Sequence, residues 1–328
     1  MPHTKKITLT AIVLAFIVIV FGAYVRLTDA GLGRPDWPGC YGLFSVPESN
    51  ESLLEVEKNF PGQIVESGKA WREMIHRYIA STLGFLIVII FAVYLSRKKQ
   101  HREQEKTNLP LYLLLLVIFQ GLLGMWTVTL KVHPLIVSAH LVGGLSTLSL
   151  LFYYYKKQST QQPTTKQKLS GFILLGFCFL IIQILLGGWT STNYAALGCP
   201  DIPLCYGQLW PDNMDFQKGF LSWQSFGKNY EGGLLTPPAR TAIHFTHRLG
   251  AVVVFFVLGA IGLKYLSNSN QQIKIAASYF LVALVTQLII GIVMVWSSIN
   301  LSLATAHNAF AAILLLSFIN LLYSLKHR

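Results

Sequence analysis

The sequence predicts an all-α integral membrane protein in which eight transmembrane helices form two duplicated four-helix bundles. Hydrophobic residues make up 53% of the chain and charged residues only 12%. Eight apolar runs are long enough to cross a bilayer, which takes about 20 helical residues. Helices are expected because each satisfies its own backbone hydrogen bonds in lipid. Sequence segments that recur between the two halves of the chain predict the duplication.

The eight predicted membrane spans cover most of the chain. The spans lie near 7–27, 71–95, 109–130, 134–155, 169–192, 239–266, 274–296 and 300–325. The first run has a charged start, but no small-residue cleavage site follows it. It is therefore predicted to be a retained span and not a signal peptide.

The distribution of charge predicts the orientation of the chain. The two termini and the segments 96–108, 156–168 and 264–274 are rich in Lys and Arg, and they hold only two acids, Glu103 and Glu105. The positive-inside rule then places both termini in the cytoplasm, with the chain crossing a bacterial cell (inner) membrane. The net charge of +12 follows from this bias, so the lipid bilayer is the expected partner and no nucleic acid is expected.

Two outer loops, about 28–70 and 193–238, carry the clearest internal repeats. The duplicated segments, 165 to 171 residues apart, include Cys40–Gly42 with Cys205–Gly207, Pro35–Pro38 with Pro200–Pro203, and Gln120–Gly124 with Gln287–Gly291. Gln183–Gly187 repeats the last pattern once more. These matches predict an N-terminal bundle (1–158), a cytoplasmic linker (159–168) and a C-terminal bundle (169–328), related as parallel repeats.

Four histidines lie at matching depths in the predicted spans: His76, His140, His247 and His307. In each half the second and fourth helices run from outside to inside, and in an up-and-down bundle they lie diagonally across the core. Two imidazoles that face each other across a bundle can hold haem by its iron. The pattern therefore predicts two haem sites, one in each half. Glycines near the histidines, at 84, 143, 144 and 250, would let a flat group approach the backbone.

The surroundings of the histidines differ between the halves. Glu73 precedes His76 by one helical turn, and His244 occupies the same place before His247. Glu73 is either a solvated acid at the helix start or a group that handles protons beside the haem. This difference suggests that one haem is worked upon while the other carries electrons. Arg77 and Arg248 are candidates for contacts with haem propionates, with snorkelling to the interface as the alternative.

The cysteines divide between the outer loops and one span. Cys199 and Cys205 lie six residues apart in the second loop, and they predict a loop disulfide on the side of the membrane that permits one. Cys40 in the first loop has no evident partner. Cys178 lies within a span and is predicted to be a buried small hydrophobe.

These features together resemble the haem A synthase family over nearly the whole chain, from Gly22 to about Ala311. The segments that carry the resemblance are Val25–Thr28 with Gly31 and Leu32, Pro35–Pro38, Glu73–Arg77, Val137–Leu141, Cys199–Cys205, Thr246–Leu249 and Ala306–Asn308. No single segment identifies the family. The occurrence of all these segments in this order, in a duplicated chain with eight predicted spans, is specific for it.

The resemblance implies an enzyme that converts haem O to haem A by oxidising the methyl group at porphyrin position 8 to a formyl group. It implies that His247 and His307 hold a haem b cofactor and that His76 and His140 hold the substrate haem. Glu73 matches the family's important glutamate and is the implied catalytic residue. A haem O synthase and an electron donor are the partners that this activity implies.

One departure from the family and two other function classes stand beside this interpretation. Some members have a cysteine pair in each outer loop, but here Arg34 stands at the first position and leaves Cys40 alone. A dihaem cytochrome that exchanges electrons with quinone would share the four histidines without needing Glu73. A duplicated transporter would bind no haem.

Overall fold

The structure is a computed structural model that describes residues 2–34, 36–99, 107–159, 168–221 and 224–327. Within these ranges the regular structure is helical, without a strand, and eight helices are long and apolar enough to cross a membrane. The prediction of an all-α membrane protein with eight spans is therefore confirmed. Each predicted span agrees with a helix to within two turns.

The helices follow one another along the chain with two short elements in the outer loops. They are α1 (Pro2–Leu27), α2 (Asn50–Asn59), α3 (Ser67–Lys99), α4 (Leu109–Thr129), α5 (Pro134–Ser159), α6 (Gly171–Thr192), α7 (Pro237–Leu266), α8 (Gln271–Trp296) and α9 (Leu301–Lys326). Helix α2 lies in the first outer loop, and a π-helical turn, Gln217–Leu221, lies in the second.

The helix starts follow from local chemistry. Pro134 and Pro237 open α5 and α7, where the missing proline N–H costs no hydrogen bond. The Asn300 side chain accepts hydrogen bonds from the first turn of α9, and Asn270 does so for α8.

The described residues pack as two compact units, Met1–Gln158 with Gln224–Gly232, and Ser159–Trp223 with Gly233–Arg328. In the first unit α3 packs against α1 and α4. Helix α5 returns to α1, where the Gln158 amide donates to the Thr8 hydroxyl at 3.3 Å, and to α4 through His140 and Gly124. The four helices form a ring in which α3 and α5 lie opposite each other.

The second unit has the same order of neighbours. Helix α7 packs against α6 and α8, and α9 packs against α8 and α6. Helices α7 and α9, which carry His247 and His307, are therefore opposite members of this ring. The duplication of two bundles stays a prediction, and this matching order supports it.

One segment of the second outer loop belongs to the first unit. The Tyr230 backbone N–H donates to the Lys131 carbonyl at 3.1 Å, and Nε2 of His133 lies 3.1 Å from the Gln224 carbonyl. The sequence division had assigned this segment to the C-terminal half. In the predicted linker 159–168, residues 160–167 lie outside the described residues.

Candidate functional site

Each of the four histidines packs over a glycine of the preceding membrane helix. A methyl group built on that glycine would lie close to Cε1 of the imidazole. The pairs and distances are Gly22 with His76 at 2.9 Å, Gly124 with His140 at 3.6 Å, Gly187 with His247 at 3.1 Å, and Gly291 with His307 at 3.0 Å. The missing side chain therefore makes the space that each imidazole occupies.

The imidazoles have the surroundings that a haem ligand needs. All four histidines are half-buried, and Nδ1 of His76, His140 and His307 is buried without a hydrogen-bond partner among the residues that the structure describes. Leaving a buried polar nitrogen unpaired costs about 1–3 kcal/mol, so such an atom requires an explanation. His76 and His140 lie on opposite helices of the first ring, and His247 and His307 lie on opposite helices of the second. The described residues contain no group of three or more His, Cys, Asp or Glu suited to a free metal ion. Paired neutral imidazoles fit haem iron.

Glutamines on the helices that carry the glycines reach the histidines of the second unit. The Gln183 amide nitrogen donates to the His247 carbonyl at 2.9 Å and lies 3.1 Å from Nδ1 of the same residue. The Gln287 amide nitrogen lies 3.2 Å from Nε2 of His307. The oxygens of both amides are buried without partners. Because a metal-bound imidazole donates its second N–H, each amide would orient the ring by turning its oxygen toward that nitrogen.

The glycines suggested by the sequence have other neighbours. The space beside Gly143 is filled by the Gln120 side chain, and the space beside Gly250 by Gln183. A methyl group at Gly84 would meet Val117, and one at Gly144 would meet Ile19. The prediction that these four glycines admit a flat ligand receives no support, because a side chain lies beside each of them.

Glu73 is at the centre of a buried charge cluster in the first unit. Only 4% of Glu73 is exposed, so the interpretation as a solvated acid is wrong. Its Oε1 accepts hydrogen bonds from Arg77 at 2.5 Å and from Arg34 at 3.3 Å. Its Oε2 is buried and has no hydrogen-bond partner within the described ranges. The carboxylate thus has one oxygen held by two cations and one that is available.

The corresponding position in the second unit is neutral and holds the outer loop. Nδ1 of His244 accepts a hydrogen bond from the Cys199 backbone N–H at 3.0 Å, and His244 is 3% exposed. Arg248 donates to the carbonyls of Cys199, Asp201 and Leu204, at 2.6 to 2.9 Å. Arg77 likewise donates to the Pro38 carbonyl. Both arginines thus bond to loop carbonyls, and Arg77 also bonds to Glu73. Their proposed contacts with haem propionates stay a prediction.

The two outer loops contain the same tight turn. Asp36 accepts from the N–H groups of Tyr41 and Gly42, as Asp201 does from those of Tyr206 and Gly207. Bonds from Gly207 and Tyr206 hold the pKa of the Asp201 carboxyl below its usual value. The second turn is closed by a Cys199–Cys205 disulfide with an S–S distance of 2.00 Å, which confirms the predicted bridge.

The two remaining cysteines are free thiols. Cys40 is buried in the first turn. Cys178 is exposed on α6, so its prediction as a buried residue is wrong.

Sequence reasoning missed three kinds of residue at these sites: the glycines beneath the imidazoles, the glutamines beside them, and Arg34 as the partner of Glu73. The recurring Gln-x-x-x-Gly pattern of α4, α6 and α8 is visible in the sequence, but it was interpreted only as evidence of a repeat. The contact of Arg34 with Glu73 joins residues 39 apart and has no local signal.

The glycine contacts lead to a testable difference between two positions of one unit. Gly22→Ala is expected to displace the His76 imidazole and to weaken haem binding in the first unit by roughly tenfold or more. Gly124→Ala, whose methyl group makes only ordinary contact with His140, is expected to leave binding within about twofold. Haem titration followed by absorption measures both. Because alanine favours a helix over glycine by about 1 kcal/mol, loss of helix stability cannot explain the expected decrease. Equal affinities in the two variants would refute the positioning role of Gly22.

The fold and the site define a class of protein: a multi-pass membrane protein with a pair of half-buried histidines in each of two units. The chain belongs to the COX15-CtaA family of cytochrome oxidase assembly proteins, whose model matches residues 5–319. The family resemblance seen in the sequence is thereby confirmed.

Relatives along the whole chain support the assignment. A protein of Shewanella oneidensis named Heme A synthase is 41% identical over 97% of this chain and 95% of its own. Proteins of the same name from Halalkalibacterium halodurans and Novosphingobium aromaticivorans are each 26% identical, over 94% and 92% of this chain and 91% and 90% of their own.

Proposed function

We propose that this membrane oxidoreductase is a haem A synthase, which converts haem O to haem A by oxidising the porphyrin C8 methyl group to a formyl group. The observation that carries the proposal is the buried Glu73 cluster one helical turn from His76, in a chain of this family. An electron carrier needs two histidine pairs but no such carboxylate. The comparisons give no support to a dihaem cytochrome or to a transporter.

The first unit is the proposed substrate site. His76 and His140 hold haem O from opposite helices of the ring, and Gly22 and Gly124 leave room for their rings. Glu73 is the proposed catalytic residue, because Oε2 is the oxygen of the carboxylate that the arginines leave unengaged and is therefore available to accept a proton. Arg34 and Arg77 both contact this carboxylate and compensate its charge when it is ionised.

The second unit is the proposed cofactor site. His247 and His307 fit haem b, and Gln183 and Gln287 are placed to orient them. Haem b bound there would supply one-electron transfer. The proposed domains are those of the sequence, 1–158 for the substrate and 169–328 for haem b. Contacts of Arg77 and Arg248 with propionates remain part of the proposal, although the loop carbonyls and Glu73 already engage both side chains.

The proposed location is a bacterial cell membrane with both termini in the cytoplasm, which the basic inner segments support. A membrane site suits haem O, whose isoprenoid tail can stay in lipid. A haem O synthase and an electron donor are the proposed partners.

The test is pigment analysis of a host that makes haem O but no haem A. Expression of this protein is expected to produce haem A, measured by extraction and chromatography. A His76→Ala variant is expected to produce none, whereas His3→Ala, at an exposed position in α1, serves as the control. The function is refuted if only haem O is recovered although the protein is present in the membrane.

A further inference from the structure

Arg34 is a fully buried arginine in an outer loop. Only 1% of the residue is exposed. Its guanidinium donates to the Gly39 carbonyl, contacts the Met74 sulfur and reaches Oε1 of Glu73 at 3.3 Å. Burying a cation away from water is costly unless an anion compensates its charge. The Glu73 carboxylate therefore offsets the cost of burying the Arg34 guanidinium.

Arg34 occupies the place that a disulfide occupies in the second unit. It lies six residues before Cys40, as Cys199 lies six residues before Cys205, in turns with the same aspartate contacts. The ends of the second turn are joined by a covalent bond. The ends of the first turn are joined by Arg34, which donates to the carbonyl of Gly39, the residue next to Cys40.

Arg34 and Cys199 stand at equivalent positions of the two turns. Each of them also contacts the residue one helical turn before the proposed haem-ligating histidine of its unit. Cys199 does so through its backbone N–H, which donates to His244. Arg34 does so through its charge, which faces Glu73. The first unit therefore has a charged link where the second has a neutral one.

Arg34 and Arg77 differ in how deeply their side chains are buried beside Glu73. The Arg34 side chain has no exposed surface, whereas 18% of the Arg77 side chain is exposed. Arg34 is also held by the Gly39 carbonyl of the turn and by the Met74 sulfur on α3, which restrict its freedom to follow the carboxylate if the carboxylate rotates. Arg77 makes the shorter contact with Glu73, at 2.5 Å against 3.3 Å, but Arg34 is the fully buried partner and approaches from a different segment of the chain.

We propose that Arg34 is a positioning residue of the substrate site: it fixes the Glu73 carboxylate beside His76, and it closes the first outer turn without a disulfide. The inference rests on the proposed function. It assigns two roles to one side chain, and the two roles can be separated by substitution.

Three substitutions in the full-length protein separate the roles. R34Q removes the charge of the side chain. R34K keeps the charge but lacks the planar guanidinium group. R34C gives the first turn the same cysteine spacing as the second turn. R72Q is the control, because Arg72 lies on the same helix as Glu73 and, among the described residues, donates to the exposed Gly68 carbonyl and not to the site. Disulfide formation in R34C is measured by mass spectrometry after oxidation with oxidised glutathione. Access to Cys40 is measured in all variants by the rate of labelling with a maleimide.

We expect R34Q to lower haem A formation by roughly tenfold or more, because it removes a charge-assisted hydrogen bond. R34K should recover part of that loss, and R72Q should behave as the unsubstituted protein. R34C is expected to form a bond with Cys40 and to stay as impaired as R34Q. Cys40 labelling should accelerate in R34Q and R34K.

The alternative outcomes are distinct. If bridged R34C regains full activity, Arg34 only closes the turn, and the positioning role is overturned. Full activity of R34Q would overturn it as well, as would unchanged Cys40 labelling in that variant. Absence of haem A with the unsubstituted protein would instead contradict the proposed function and not this inference.

Discussion

Replacing Glu73 with alanine is expected to abolish haem A formation while haem stays bound at His247 and His307. Loss of a group that transfers protons typically costs about 100-fold or more in rate. The same change leaves Arg34 buried without its counter-charge, which should lower the free energy of unfolding by about 3–5 kcal/mol. Haem A yield and thermal unfolding of the purified protein measure the two effects.

Two further variants separate the chemical effect from the structural one. Glu73→Gln keeps the shape of the side chain and an oxygen for Arg34, so it should fold better than the alanine variant and still make little haem A. Glu66→Ala removes an exposed ion pair with Lys69 and should change stability by no more than about 1 kcal/mol. Normal haem A formation by Glu73→Ala, with both haems bound, would show that Glu73 has no catalytic role.

Removal of His247 is expected to have an effect of similar size by a different route. His247→Ala deletes a proposed iron ligand and leaves the Gln183 amide without its ring contact, so the second unit should lose haem b. Haem content should fall to about half of that in a preparation with both units loaded, since each bis-His site holds one haem. Haem A formation should stop, because the proposed route of electrons is gone. Absorption spectra and haem extraction provide the measurement.

His244→Ala is the matched control for this prediction. His244 lies one turn away on the same helix, but its Nδ1 holds the Cys199 backbone. This variant should keep haem b and lose some stability of the outer turn. If His244→Ala loses haem b while His247→Ala retains it, the assignment of ligands within α7 is wrong.

The sequence predicted the fold well because membrane spans follow from length and hydropathy. A span must satisfy its own backbone hydrogen bonds, so a long apolar run leaves few alternatives to a helix. Helix α2 shows the limit, since it lies in a polar loop and hydropathy gives no signal for so short a polar helix. Its N-terminal signal was nevertheless present, because the Ser49 side chain accepts a hydrogen bond from the Ser52 N–H.

The site was predicted less completely because its supporting contacts join distant segments. The sequence predicted the histidine pairs because the four histidines occupy equivalent positions in the two halves of the chain. Arg34 was noticed only as a missing cysteine, and its contact with Glu73 requires the loop to fold back onto α3. Gly143 and Gly250 were favoured for proximity in sequence, whereas the glycines beneath the imidazoles lie on neighbouring helices.

The burial of Cys40 has a consequence for which disulfide the loop cysteines form. Three outer cysteines could pair in three ways, and only one pairing gives the Cys199–Cys205 bridge. Burial raises the pKa of the Cys40 thiol, which lowers the fraction of thiolate that attacks other sulfurs. Because Cys40 is buried beside Arg34, we expect it to take little part in thiol–disulfide exchange and expect oxidation to favour the Cys199–Cys205 bridge.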